Sequence, residues 1–547
     1  MTIKYTKEQL NKFDKDLLIE LFLGMQGQME ELSRQTQALN DRMQLMMEQM
    51  VLFQKNRFGR SSEKMADSEQ IRFLEVDGTI VFFNEAEAVC DLDAPEPDDL
   101  ELKAPKKKKQ PGKKAADIAG LTVKRIDHYL KEEELTAEFG ENGWKQLPDA
   151  ISRCYQFIPA SVVIEEHHIG VYSSKLDEHM IKAPHPRNLL HGSLVSPSLA
   201  AAVINGKYVN AVPLYRLEKE FERYGLAITR QNMANWMIRL GEEYLGTMYD
   251  YLHKLLYDYH VIQADETPVL VNKDGRPAGS QSYMWVYRSG FMYRDRQIIL
   301  YEYQKTRNAS HPREFLRDYT GICVTDGYQV YHTLEKERED LKIAGCWVHC
   351  RRRFNDALEV IPKAHRKESI LHLIMKQIQA IYREEGKLSD FSTEDRLMQR
   401  QLVVKPLVDA FFAYLKQNEP KIPKNGKIRE AFTYALNQES YLKVFLEDGD
   451  VPIDNNASER AIRGFCIGKK NWEMIDTVNG ANSSAIIYSI AETAKANNLK
   501  PFDYFEYLLT EIPKHADDKN TDFLAELLPW SDMLPKNIRK PQKASGK

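Results

Sequence analysis

His260-Val261-Ile262-Gln263-Ala264-Asp265 is the stretch that decides the fold, because it is a short apolar run that ends in an acid. Such a run predicts a buried strand. Two further runs, Tyr283–Arg288 and Gln297–Tyr303, have the alternation typical of an antiparallel meander. The sequence therefore predicts three consecutive strands, the first of which ends at a carboxylate.

A second acid follows in the same way. A helical stretch near Pro312–Asp318 leads to Gly321-Ile322-Cys323-Val324-Thr325, a fourth strand that ends at Asp326. A fifth strand is predicted at Lys342–Trp347. Three strands, a helix and a fourth strand place strands one and four side by side in a ribonuclease-H-like sheet. We expect an α/β core of this kind, with a mixed five-stranded sheet, flanking helices and a helical insertion.

The third acid lies far along the chain, in the stretch Pro452–Arg463. Asn456 is a good helix N-cap, and Glu459 stands three residues later, in the first turn. One interpretation is structural: Glu459 closes a capping box and pairs with Arg463. The other is chemical, in which Glu459 joins Asp265 and Asp326.

The chemical interpretation has a physical basis. Phosphodiester cleavage and strand transfer need an activated nucleophilic oxygen and a stabilised leaving oxygen, which two metal ions roughly 3.5 to 4 Å apart provide. Magnesium, or manganese, takes hard oxygen ligands, so a few carboxylates suffice. We expect Asp265 to bridge the ions, with Asp326 and Glu459 each completing one site.

Composition limits the class of protein. The 43% hydrophobic and 29% charged residues are ordinary for a soluble globular chain. The sequence has no apolar run of about 18 residues and no signal-peptide layout at its start. Its six scattered cysteines include no CxxC pair. We expect a cytoplasmic protein with no membrane partner.

The first segment predicts self-association. Leu18, Met25, Leu32, Leu39, Met46 and Phe53 recur every seventh residue, with a second apolar series between them. That spacing is typical of a coiled coil, whereas a shorter amphipathic helix would pack on its own domain. A basic stretch around Arg57 and Arg60, an acidic region and the run Lys106 to Lys109 follow. These cations indicate either a solvated linker or phosphate contacts.

The middle of the chain is less informative. Residues 121–195 lean towards strands, with Tyr155–Ile158 and Val162–Ile164 as candidates. Gly225–Trp236 predicts a tight turn that leads into a capped helix. A helix-turn-helix of this kind either enters a DNA groove or only packs.

Together these residues resemble the transposase of the insertion sequence 66 family, and nearly the whole chain is covered. The segments that carry the resemblance are Ala264-Asp265-Glu266-Thr267-Pro268, Thr325-Asp326-Gly327-Tyr328, Gly345-Cys346-Trp347-Val348-His349, Asp454–Arg463, Ile467–Trp472, Ser489–Asn497, Leu527–Trp530, Arg57–Lys64, Lys207-Tyr208 and Pro213–Arg216.

The resemblance implies a DDE triad of Asp265, Asp326 and Glu459 that acts on DNA. The implied partners are the terminal inverted repeats of the element, target DNA, further copies of the chain, and possible helper proteins of the same element. His349, Asn455 and Asn456 are expected to support the site. The expected DNA contacts are Arg57, Arg60, Lys106, Lys107, Lys108, Lys109, Arg351, Arg352, Arg353, Arg460, Arg463, Lys469, Lys470 and Trp472.

One departure from the family concerns zinc. Family members usually carry two CxxC pairs before the Lys-Tyr helix, and here that stretch has only Cys154. Zinc needs about four soft or borderline ligands, so we expect no zinc and a module held by its strands alone. Cys346 and His349 form a CxxH, which we interpret as packing and site support rather than metal binding.

Two other functions remain open on the sequence. The first is a catalytically silent DNA-binding protein, and the second is a structure-selective nuclease on the same fold. The predicted domains are 1–56 (coiled coil), 57–120 (linker), 121–195 (strand-rich module), 196–258 (helical, DNA-binding), 259–354 (core, first part), 355–450 (helical insertion), 451–510 (core, last part) and 511–547 (tail).

Overall fold

The computed structural model describes strands at 73–76 and 79–82 and the ranges 129–141, 160–173, 180–184, 188–277, 279–518 and 520–541. The chain divides into two units, Met1–Arg125 with Lys543–Lys547, and Ile126–Gln542. The predicted coiled coil and the basic residues from Arg57 to Lys109 lie outside the described residues.

In the first unit, an antiparallel hairpin joins β1 (Phe73–Val76) and β2 (Thr79–Phe82). Asp77-Gly78 stands between the two strands in the sequence. This dipeptide is a strong hairpin signal between apolar runs. The hairpin lies within residues 57–120, which were predicted to be a linker.

The second unit begins with α1 (Glu132–Phe139) and a small hairpin of β3 (Val171–Ser173) and β4 (Met180–Lys182). The predicted strand Val162–Ile164 is wrong, because residues 160–170 form no strand. Ile164 is 93% exposed. A strand needs a neighbour to pair its backbone groups, and none of the described residues pairs with this segment.

Four helices follow: α2 (Pro197–Ile204), α3 (Leu214–Arg223), α4 (Arg230–Leu240) and α5 (Gly246–Leu256). The predicted turn and capped helix are confirmed. Gly225 takes the left-handed conformation at φ 82° after α3. The side chain of Thr229 then accepts a hydrogen bond from the Asn232 backbone N–H at the start of α4.

A mixed sheet forms the centre of the second unit. Its elements are β5 (Val261–Lys273), β6 (Gln281–Ser289), β7 (Ile299–Gln304), α6 (Ser310–Phe315), β8 (Gly321–Thr325), α7 (Gln329–Glu337), β9 (Leu341–Gly345) and β10 (Ile475–Thr477). The strand order is β7-β6-β5-β8-β9, and β10 pairs with β5 outside this order. Neighbouring strands among β5, β6 and β7 are antiparallel, whereas β8 and β9 run parallel to β5.

Two strand ends differ from the expectation. Strand β5 does not stop at Asp265 but continues to Lys273, because β6 pairs with it as far as Leu270. Its parallel partner β8, however, pairs only up to Gln263. Strand β9 ends at Gly345 rather than Trp347, since the Trp347 backbone N–H donates to the carbonyl of Ile453 and begins a helix.

A helical layer with its own apolar core fills the segment after β9. Trp347, Phe354, Phe411 and Phe432 are fully buried within it. A buried ion pair between Arg400 and Glu385 links two of its elements. The helices are α8 (Trp347–Val360), α9 (Ile370–Gly386), α10 (Thr393–Gln399), α11 (Lys405–Asn418), α12 (Lys427–Asn437) and α13 (Glu439–Lys443).

The last helices return to the sheet: α14 (Asn456–Trp472), α15 (Val478–Ala496), α16 (Pro501–Glu511) and α17 (Leu524–Leu527). Helix α15 covers the edge strand β7. The Tyr301 backbone N–H donates to Ser489 Oγ, and the Ile299 N–H donates to Thr493 Oγ1. These bonds pair backbone N–H groups of an edge strand that could otherwise bond to another strand. None of the helices in the described part of the chain has the length and apolar character of a membrane span.

Candidate active site

The sheet register brings the first two acids together. Gln263 of β5 is paired with Val324 of β8, so the same register carried two residues further places Asp265 beside Asp326. Burial raises the pKa of the Asp265 carboxyl well above its usual range, and the charges of Glu266, Asp326 and Glu459 raise it further. The charges of Asp326 and Glu459 thus both reach Asp265.

Glu459 reaches this site from α14. Its Oε1 lies 3.8 Å from His349 Nε2, and its Oε2 lies 3.7 Å from Arg352 Nη2. Within the described residues, Glu459 Oε1 is buried and has no hydrogen-bond partner. A buried carboxylate oxygen without a partner is costly unless a cation completes it.

The structural interpretation of Glu459 is wrong in its details. The residue that caps α14 is Asn455 rather than Asn456, and the helix has no side-chain cap hydrogen bond. Asn456 Nδ2 instead donates to Asp454 Oδ2 at 3.0 Å. The Glu459 carboxylate faces α8 and closes no capping box.

Asn455 ties three elements of the site together. Its fully buried side chain donates from Nδ2 to the Ala264 carbonyl at 2.8 Å and accepts from Gln263 Nε2 at 3.0 Å. Its backbone N–H donates to Cys346 Sγ at 3.2 Å. Asn455 thus fixes the start of α14 against the two residues that precede Asp265, whereas Asn456 stabilises only the local turn.

His349 is part of α8 and lies next to the acids. Burial lowers the pKa of His349, while the charges of Asp326 and Glu459 oppose that shift. Its Nδ1 is buried without a hydrogen-bond partner among the described residues. The Nδ1 of His349 can therefore form one further hydrogen bond at the site.

Among the described residues, one group of ligand atoms lies close enough together to hold a metal ion; it includes Glu459 but neither Asp265 nor Asp326. Ligand atoms of Cys346, His349 and Glu459 lie within 4.8 Å of one another. Structural zinc sites take four ligands, whereas this group supplies three. The carboxylates of Asp265, Asp326 and Glu459 offer only oxygen, which suits Mg²⁺ or Mn²⁺. The buried, unpartnered Glu459 oxygen fits such an ion.

A fourth carboxylate was not recognised from the sequence. The Glu266 side chain is 1% exposed and forms an ion pair with Arg307. Burial raises the pKa of Glu266 to about 7, with a further increase from Asp326 and an opposing effect of Arg307. The sequence signal for Glu266 was its position directly after Asp265, whereas no sequence motif points to Arg307.

Arg307 also connects to the second acid. Its guanidinium lies 3.7 Å from the ring centroid of Tyr328, and the Tyr328 hydroxyl donates to the Arg307 carbonyl at 2.8 Å. The Tyr328 backbone N–H donates to Asp326 Oδ1 at 2.9 Å. Arg307 and Tyr328 therefore link Glu266 to the loop that carries Asp326.

The predicted DNA contacts on α8 lie close to the acids. Arg352 approaches Glu459, as described above. The guanidinium of Arg353 is exposed and lies 4.4 Å from the Tyr434 ring centroid, and that of Arg351 lies 5.8 Å from the Tyr382 ring. The three arginines thus point in different directions rather than forming one uniform face.

The candidates on α14 are also divided. Arg460, Arg463 and Lys470 are exposed, whereas Lys469 Nζ donates to the Pro268 carbonyl at 2.7 Å. Trp472 is partly buried and packs against the main core. Three of these five side chains are therefore directed to solvent.

Sequence models of known families match most of the chain. Residues 192–483 match “Transposase IS66 family”, residues 489–530 match “IS66 C-terminal element”, and residues 45–126 match “Transposase C of IS166 homeodomain”.

Similar proteins come from Sinorhizobium fredii (strain NBRC 101917 / NGR234). The uncharacterised protein y4qI is 28% identical over 369 residues, which are 66% of this chain and 67% of that protein. The uncharacterised protein y4jD is 24% identical over 76% of this chain and 82% of its own length. Among solved structures, “Mos1 transposase paired-end complex with left transposon end” is 15% identical and covers 51% of this chain and 84% of that chain. Its TM-score of 0.12 carries no argument about the fold.

Proposed function

The chain belongs to the transposase IS66 family, and from that premise we propose that it cuts DNA at the ends of a mobile element and joins them to target DNA. One observation carries the proposal. Strands β5 and β8 bring Asp265 and Asp326 to neighbouring positions, and the charges of Asp326 and Glu459 both act on the Asp265 carboxyl. Such a convergence is what metal-dependent phosphodiester chemistry needs.

The strand order supports a ribonuclease-H-like core. Three antiparallel strands are followed by α6 and then by β8, which pairs parallel to β5. In this proposal, residues 259–354 and 451–510 form the core and residues 355–450 form the insertion. The sixth strand, β10, is a short addition to β5 and leaves the order of the other five unchanged.

Asp265, Asp326 and Glu459 would hold two Mg²⁺ or Mn²⁺ ions. When bound, this pair supplies activation of the attacking oxygen and stabilisation of the leaving oxygen. Asp265, on whose carboxyl the charges of both other acids act, would be the ligand shared by the two ions. Asn455 positions Glu459 relative to Asp265 through its bonds to β5.

The cations near the acids would position the DNA. Arg460 and Arg463 are exposed on α14, the helix that carries Glu459, and would contact phosphates. Arg352 offsets the charge of Glu459. The partners of this proposal are the terminal inverted repeats, target DNA and further copies of the chain through residues 18–53.

A cleavage assay tests the proposal. The substrate is a labelled duplex of the element's terminal repeat, and the readouts are nicking, joining and binding in the presence of Mg²⁺ or Mn²⁺. We expect wild type to cut and join, and Asp265→Asn and Glu459→Gln to bind DNA but to lose both reactions. Equal activity of wild type and variants contradicts the triad.

Two control arms separate the alternatives. Binding without any reaction by wild type over a range of metal concentrations favours the catalytically silent DNA-binding protein. Unchanged cutting of a duplex with scrambled ends favours the structure-selective nuclease.

A further inference from the structure

A polar cavity of about 580 Å³ lies beside the loop that carries Asp326. Its walls come from the residue after Asp326, from α8 and from the start and end of α12. The wall residues that matter are Gly327, Arg353, Lys424, Gly426, Tyr434 and Gln438. A cavity of this size is within the range that binds small ligands.

The cavity carries uncompensated positive charge. Arg429 and Glu430 also line it, but Arg429 donates to backbone carbonyls and approaches Glu419, while Glu430 pairs with Lys427. Lys424 is exposed, and neither it nor Arg353 has a carboxylate partner among the described residues. Two free cations in one concave wall attract an anion.

Unsatisfied backbone and side-chain groups point to the same ligand. Helix α12 begins after Gly426 with no side-chain cap hydrogen bond, so its first N–H groups are available to an anion. Gln438 is only 8% exposed, and its Oε1 has no hydrogen-bond partner among the described residues. This oxygen is itself an acceptor, so the Gln438 amide would have to turn and present Nε2 as the donor to a phosphate oxygen.

The cavity adjoins the candidate active site. Tyr434 donates from its hydroxyl to the Asp326 backbone carbonyl at 3.0 Å and lies under the guanidinium of Arg353. Gly327, at φ 88°, directly follows Asp326, and a Cβ there would lie 2.8 Å from the Tyr434 hydroxyl. The same residues thus shape the cavity and hold the loop of the second acid.

We propose that this cavity binds a backbone phosphate of the DNA strand close to the phosphate that is cut. The proposal rests on the proposed function, because it is the reaction that brings a DNA strand to Asp326. Arg353, Lys424 and the first amides of α12 would hold the phosphate oxygens. The helical segment after β9 would then contribute to strand positioning as well as to packing.

The test compares Lys424→Gln with Lys421→Gln in the full-length chain. Lys421 is an exposed lysine three residues earlier that does not line the cavity, so the two variants make the same change of charge. Binding to a terminal-repeat duplex is measured by fluorescence anisotropy from 50 to 200 mM salt. We expect Lys424→Gln to lower the affinity about threefold to tenfold and the salt slope by about one, and Lys421→Gln to change neither.

Methylphosphonate substitution of single phosphates identifies the contact. We expect one position near the cut bond where neutralisation weakens binding by wild type but not by Lys424→Gln. Arg353→Gln should lose sensitivity at the same position and provides a second variant if Lys424→Gln is poorly folded.

The outcomes separate the two proposals. The cavity proposal is overturned if Lys424→Gln and Lys421→Gln show the same salt slope and the same methylphosphonate pattern. This holds even if wild type cuts and joins normally. The expected binding pattern without any cutting supports the cavity and contradicts only the proposed function. No DNA binding by wild type overturns both.

Discussion

Replacing Asn455 by alanine should damage both stability and metal-dependent activity. The change removes the side-chain bonds to the Ala264 carbonyl and to Gln263 Nε2, both in the buried interior. Each buried polar group left without its partner costs about 1 to 3 kcal/mol, so we expect a loss of about 3 kcal/mol in the free energy of unfolding. The start of α14 would also shift relative to Asp265, and changes of this kind cost about 10- to 100-fold in metal affinity or activity.

Asn456→Ala is the matched control, because Asn456 bonds only to neighbouring Asp454. We expect it to cost less than about 1 kcal/mol and to leave the metal dependence unchanged. Urea denaturation measures the stability of both variants, and single-turnover cleavage over a Mg²⁺ titration measures the site. If the two variants are equally stable and need the same Mg²⁺ concentration, Asn455 does not connect β5 to α14 as we argue.

Three further predictions concern other parts of the second unit. Burial raises the pKa of Glu302 to about 7 from 4.5, so this carboxyl costs stability as the pH rises through that interval, up to about 3 kcal/mol. Glu302→Gln should therefore be more stable than wild type at pH 8 and nearly equal to it at pH 4, below the unfolded pKa, in thermal melts; the same difference at both pH values contradicts the assignment. Arg307→Ala leaves Glu266 buried and unpaired, and should cost about 2 kcal/mol in denaturant unfolding, most of which Glu266→Gln restores; simple additivity of the two changes argues against the pair. At Gly468, an added Cβ would collide with the ring of Trp472, so Gly468→Ala should lower the melting temperature by an amount that corresponds to about 1 to 3 kcal/mol; an unchanged melting temperature contradicts the tight packing of α14.

Much of the sheet was predictable because its strands are short apolar runs between polar turns. Strand β8 has the predicted bounds, Gly321–Thr325. Strand β5 is longer than predicted, since its second half pairs with β6 and β10 and buries the alternate residues Thr267, Val269 and Val271. Val162–Ile164 failed for the converse reason, because a local pattern that suits a strand forms none without a partner.

The candidate site was predictable in its acids but not in their surroundings. Asp326 directly follows β8 and Glu459 lies in the first turn of α14, whereas Asp265 lies inside β5, two residues beyond its pairing with β8. The bonds of Asn455, the Glu266–Arg307 ion pair and the cavity beside Gly327 join residues far apart in sequence. No local spacing encodes such contacts, which depend on how α8, α12 and α14 pack on the sheet.

The central claim is that three carboxylates form one divalent-metal site. The most direct measurement is anomalous X-ray scattering from crystals of the full-length protein soaked in Mn²⁺. We predict two peaks about 3.5 to 4 Å apart that are coordinated by Asp265, Asp326 and Glu459. In the Asp265→Asn variant, we predict no peak beside residue 265, because the shared ligand is lost. A peak held by Cys346 and His349 instead, or no peak at saturating Mn²⁺, would contradict the claim.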